Sequence, residues 1–266
     1  MEFFDFEYDG VKLSELGYTL CEFGGNGEKT ISNGSKLSFN TVSTLFGQKN
    51  ELVSTTYSEC IGTKLQICKI PCDYTADYHI SVEDISKISR WLNRKGFYKL
   101  KFMCEGYSDL YFEASFNINQ IKIGGYTCGL ELEVVTNRPY ALAEERVMKY
   151  RSETPDWNFF IYDMSDEEGI TPVIAEIKIL SDGDLIIDNS TYDKQTKIIN
   201  CVAEEEIIMD NPIISSSVPE HKIQNDFNYN FMRIYNSFDI GRKNDFFVSL
   251  PCEITIKYNP VVKIGI

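Results

Sequence analysis

The feature that most constrains this chain is a two-residue period. Phe4, Phe6 and Tyr8 alternate with Asp5, Glu7 and Asp9. Leu110, Phe112, Ala114, Phe116 and Ile118 alternate with Tyr111, Glu113, Ser115 and Asn117. The same pattern runs through Tyr98, Leu100, Phe102 and Cys104, and through Cys128, Leu130, Leu132 and Val134. Side chains of an extended chain point to opposite faces in turn. Alternation of this length therefore specifies strands with one buried and one wet face. Turn residues separate the last three segments, which predicts an antiparallel meander. Asp9-Gly10 predicts a tight turn, with Val11 to Leu13 pairing back.

One segment has the helical period instead. Ser81 is a good N-cap, and Asp84 three residues later approximates a capping box. Ile85, Ile88, Trp91 and Leu92 share a face, and Gly96 is a natural stop. These signals predict a single helix over about 81–95. Lys87, Arg90 and Arg94 fall on the opposite face, and no acid occurs between Ile85 and Cys104. The plain reading is a solvated face. The sharper one is a cationic patch that docks on an acidic neighbour.

The stretch 24–51 lacks either period. It is rich in Gly, Ser, Asn and Thr, with isolated Leu37, Phe39, Leu45 and Phe46. It reads as a projecting arm whose apolar residues suit a partner contact. The arm around Leu45, Phe46 and Gly47, with the basic face at Lys87, Arg90 and Arg94, forms the candidate interface.

Asn137-Arg138-Pro139 ends the first set of strands, and Ala141 to Tyr150 is polar and helix-tolerant. The expected organisation is a first β domain over 1–140 and a second over 141–266. In the second, Val173 to Leu180 and Leu185 to Asp188 flank Ser181-Asp182-Gly183-Asp184 and read as a hairpin. Further strand-like runs follow at 197–202, 231–235, 246–248 and 253–258, which predicts a sandwich or jelly roll. The fold class is thus mainly β, with one helix in the first domain.

Charge narrows the partners. The net charge is −14, so the chain is a poor general binder of nucleic acid or of anionic membranes. No apolar run is long enough to span a bilayer, so membrane insertion is not expected. The acidic, alternating start is unlike a secretory signal, which points to a cytoplasmic origin. The eight cysteines then read as thiols rather than disulfides.

Catalytic patterns are missing. There is no GxSxG, HExxH or GxxxxGK[ST] sequence. Gly25-Asn26-Gly27-Glu28-Lys29-Thr30 fails the dinucleotide pattern at Thr30. Asp182-Gly183-Asp184 with Asp188 fails the EF-hand pattern at Ile186. Cys68 and Cys72 are not CxxC, and only His79 and His221 could join them, so no metal site is expected. Asp163, Asp166, Glu167 and Glu168, and likewise Glu204, Glu205 and Glu206, read as solvated acidic loops. A carboxylate pair for glycoside hydrolysis remains an open minor reading. The expectation is a non-enzyme without cofactor.

The order of these features resembles one family. Phe4-Asp5-Phe6-Glu7-Tyr8-Asp9-Gly10-Val11 with Leu16-Gly17-Tyr18 is similar to the opening of distal tail (Dit) proteins of long-tailed phages. Ile88-Ser89-Arg90-Trp91-Leu92 followed by Leu100-Lys101-Phe102 resembles that family's helix leading into a strand. Gly183 to Asn189 and Ile254 to Tyr258 resemble its C-terminal domain. The chain departs from many relatives at Asn259-Pro260-Val261, where they carry Pro-Arg. The resemblance implies an N-terminal ring-forming domain and a galectin-like or jelly-roll C-terminal sandwich. It implies a hexameric ring at the tail tip or baseplate of a phage or phage-tail-like particle, assembled in the host cytoplasm. The ring would join the tail tube protein to the tail-associated spike or lysin protein. It would also hold receptor-binding proteins, and DNA would pass through without specific binding. The alternative function is a carbohydrate-binding module at the bacterial surface, with Trp157 and Tyr162 stacking on sugar.

Overall fold

A computed structural model describes residues 5–24, 35–43, 49–70, 78–239 and 241–265. The chain divides into two units. The first comprises Met1–Ala143 with Val262–Ile266, and the second Glu144–Val261.

The first unit is built on an antiparallel sheet. Its order is Val11–Lys12, Phe6–Tyr8, Tyr98–Phe102, Leu110–Ile123, Tyr126–Thr136, Gly62–Lys69, Tyr18–Cys21. The expected meander is its centre, with Leu100 opposite Phe112 and Phe116 opposite Val134. Ala141–Ala143 pairs with Leu110–Ile123 and with Val261–Val262. The buried face of the sheet carries Phe6, Tyr8, Leu100, Phe112, Phe116 and Leu132. Asp9 and Gly10 both take positive φ, 52° and 78°, as a two-residue primed turn requires.

The helix runs Val82–Leu92 and buries Ile88 and Leu92. Ser81 Oγ accepts from the Asp84 amide at 3.1 Å, the expected cap. Trp91 stacks on Phe6 with centroids 5.8 Å apart and donates from Nε1 to the Tyr8 carbonyl. The helix stops short of the expected 95. Asn93 leaves helical geometry, and its Nδ2 donates to the Phe116 carbonyl at 2.8 Å.

The second unit is a sandwich over one core. One sheet orders Arg146–Ser152, Cys252–Tyr258, Ile174–Ile179, Glu206–Asp210, Ile213–Ser216. The other orders Trp157–Tyr162, Lys243–Val248, Gly183–Asn189, Lys194–Cys201. Ile177, Ile254 and Met209 from the first meet Leu185, Ile198 and Phe246 from the second. A two-stranded piece, Gly169–Pro172 with Arg233–Asn236, completes the unit.

Several expectations need correction. The segments at 173–180 and 185–188 do not form a hairpin, because Ile174–Ile179 and Gly183–Asn189 belong to opposite sheets. The turn between them is a crossover. Asp182 Oδ1 takes the Ala203 amide at 2.8 Å, and Asp184 Oδ1 takes the Asn200 amide at 3.1 Å. Ala141 to Tyr150, read as polar and helix-tolerant, is instead mostly strand, in Ala141–Ala143 and Arg146–Ser152. Val262–Ile266, expected in the second domain, count with the first unit. Tyr107 donates to the Gly265 carbonyl at 2.9 Å, and Val262 and Ile264 pack on the first core.

Candidate interaction surfaces

Within the arm, Leu37–Ser43 pairs antiparallel with Asn50–Tyr57, and among the described residues the two strands pair only with each other. Leu37 opposes Tyr57 and Phe39 opposes Thr55. Phe39, Val42, Leu52 and Val53 are exposed by 55–65%. A two-stranded ribbon that covers no core is marginal in water alone. The predicted contact residues Leu45, Phe46 and Gly47 lie outside the described residues.

On the helix, Lys87 and Arg90 are exposed. Arg94, read from sequence as their companion, is turned inward. Its guanidinium sits 3.6 Å from the Tyr98 ring centroid and 4.9 Å from that of Tyr8, and Nη1 binds Asp9 at 2.8 Å. The contact is long-range in sequence, and helical spacing carries no signal of it.

In the second unit, Glu204-Glu205-Glu206 is not a solvated loop throughout. Glu205 is fully buried. Its carboxylate accepts from the Val202 amide and Ser216 Oγ, and lies 2.6 Å from His221 Nδ1. Asp163 of the other acidic run is also buried, with Oδ1 accepting from the Ser165 amide. His221 Nε2 is 3.3 Å from Asp226, beside an open cleft of about 450 Å³. Ser216 bonds to the carboxylate rather than the imidazole, so the cluster lacks the nucleophile–base contact of acyl-transfer sites. No three His, Cys, Asp or Glu side chains among the described residues are grouped to hold a metal. No helix there is long and apolar enough to cross a membrane.

Comparison with known proteins places this architecture. Residues 1–138 match a family described as phage tail protein N-terminal domain, and residues 140–258 one described as phage tail C-terminal domain. The chain belongs to this phage tail protein family. One relative is the SPbeta prophage-derived uncharacterized protein YomH of Bacillus subtilis (strain 168). It is 22% identical over 219 residues, covering 79% of this chain and 84% of the relative. Among solved structures, the SPP1 Dit (gp 19.1) protein superposes with a TM-score of 0.65 at 11% identity. That match covers 97% of this chain and 99% of the other. That protein is described as a paradigm of the hub adsorption apparatus in phages infecting Gram-positive bacteria. The expected mainly β fold of Dit type is therefore present.

In this phage tail protein the two aromatics singled out for sugar stacking part company. Trp157 is half-buried, tilted against Phe159, and donates to the Leu250 carbonyl at 3.1 Å. Tyr162 is 55% exposed and meets exposed Phe160 edge-to-face at 5.6 Å. Cys201 and Cys252 are buried hydrophobes, and burial pushes both thiols up to about 12.

Proposed function

We propose that this phage tail protein is the hub subunit of the tail tip, where about six copies close a ring. The ring joins the tail tube protein on one side to the spike or lysin protein on the other. Receptor-binding proteins attach at its periphery, and DNA passes along its axis. The chain acts as a scaffold and not as a catalyst. The observation that carries this reading is the projecting ribbon of Leu37–Ser43 and Asn50–Tyr57. Its apolar side chains are useful only once another molecule covers them. Contact of one patch with a different patch on the next copy is the geometry that closes rings.

Light scattering across protein concentration tests the reading. The expected mass is that of about six or twelve chains. The double variant Phe39→Asp, Leu52→Asp should fall to one chain with unchanged circular dichroism. Single-chain mass for the unaltered protein, with and without the tail tube protein, would overturn it.

A second reading, a carbohydrate-binding module, is favoured by the exposed Phe160–Tyr162 pair, since aromatic planes stack on the C–H faces of sugar rings. Glycan binding that is lost in Phe160→Ala would carry it.

A further inference from the structure

Phe238 is 91% exposed, the most exposed large apolar side chain among the described residues. It is nevertheless held firmly. Ser237 and Gly241, on either side of it, exchange amide–carbonyl hydrogen bonds at 3.2 and 2.8 Å. The Asp239 amide donates to Ser237 Oγ. The Phe238 amide donates to Glu168 Oε1 at 2.6 Å. Asn236 Nδ2 donates to the carbonyls of Ser165 and Glu167. Two loops about 70 residues apart are thereby fastened together, and their shared product is a displayed phenyl ring. Ordering a loop costs conformational entropy. Ordering one so as to leave an aromatic in water stabilises nothing inside the unit. Pre-organised aromatics of this kind are what anchor protein contacts.

The surroundings select the occupant. Asp239 follows Phe238 in the chain, Glu168 accepts from its amide after the acidic residues Asp166 and Glu167, and Arg242 lies 3.9 Å from Asp166. A complementary surface must be cationic with an apolar floor. Most of this acidic chain would repel the knob. One part would not. Lys87, Arg90 and Lys95 are exposed and make no ion pair among the described residues. Val82 is 83% exposed and Phe97 47% exposed at the two ends of the same segment.

We infer that the Phe238 knob of one copy docks on the basic helix face, 82–97, of a second copy. The contact joins two different surfaces, so it propagates around a ring instead of pairing two chains. The inference rests on the ring reading and supplies it with a second contact besides the arm.

The test is photo-crosslinking with Phe238→p-benzoylphenylalanine in a mixture of ¹⁵N-labelled and unlabelled protein, with assembly mass read on the same sample. The expected result is mixed-label crosslinks between residue 238 and peptides from 82–97. Raising salt to 1 M shortens the screening length to about 3 Å and should cut their yield about tenfold. Lys87→Glu with Arg90→Glu should do the same at low salt. An assembled sample without these mixed-label pairs overturns the inference and leaves the ring intact. A sample that stays at single-chain mass overturns both.

Discussion

The Arg94 guanidinium carbon lies 3.6 Å from the Tyr98 ring centroid while Nη1 holds Asp9 Oδ2 at 2.8 Å. Nε and Nη2 are buried with no hydrogen-bond acceptor among the described residues. The planar cation is stabilised by the aromatic faces of Tyr98 and Tyr8, and by one carboxylate on the first turn of the chain. A lysine cannot both stack and reach. Arg94→Lys should cost about 1–2 kcal/mol, close to Arg94→Ala, by urea denaturation. A Lys variant with the unaltered midpoint would show that the stack contributes nothing.

Asp84 sets a pH dependence. Hydrogen bonds from Lys69 and Ser81 hold its carboxyl below the usual aspartate range, against the opposing effect of burial. The native group binds its proton less readily than the unfolded one. The stabilisation is thus complete above the ordinary aspartate range near 4, and fades as pH falls toward the lower native value. Asp84→Asn should remove that slope, lowering stability at pH 7 by roughly 1 kcal/mol and leaving pH 2 nearly unchanged. Denaturation at the two pH values checks it.

Gly129 is required by space rather than by backbone angle. A Cβ there would lie 2.3 Å from a ring carbon of Phe23 and 2.9 Å from the Ile67 carbonyl oxygen. The ring could turn away, but the carbonyl is fixed by the sheet. Gly129→Ala should therefore destabilise by about 1–3 kcal/mol. Phe23→Ala in the same chain should recover only part of it, as a double-mutant cycle would read.

Glu205 organises the connection between Ser216 and Phe227. Replacing it with Ala leaves the Val202 amide, the Ser216 hydroxyl and His221 Nδ1 without their acceptor in a buried place. The expected loss is about 2–4 kcal/mol, seen by calorimetry as a lower-melting second unit. Glu205→Gln keeps an acceptor oxygen and should cost less.

Where one face of a strand is buried and the other wet, the pattern was readable. Leu110 to Ile118 and Cys128 to Val134 sit in the sheet as alternation demands, and Ser81 caps the helix that follows it. The arm was recognisable by lacking either period. Other features depended on information that alternation does not carry. Ile174–Ile179 and Gly183–Asn189 alternate equally well in one sheet or in two, because both faces of the sandwich feed one core. The burial of Glu205 depends on His221 and Ser216, which lie sixteen and eleven residues along the chain. The exposure of Phe238 rests on hydrogen bonds to residues near 168. An isolated Phe between polar neighbours reads the same whether it is displayed or buried.

The return of Val262–Ile266 to the first unit has a consequence for synthesis. During translation, Leu110–Ile123 and Ala141–Ala143 emerge more than a hundred residues before the strand that completes their edge. The whole second sandwich must leave the ribosome first. The first unit is therefore a host, and the second an insertion within it. A nascent chain whose emerged part ends at Val261 would carry a finished guest in an unfinished host, with Tyr107 still lacking the carbonyl of Gly265.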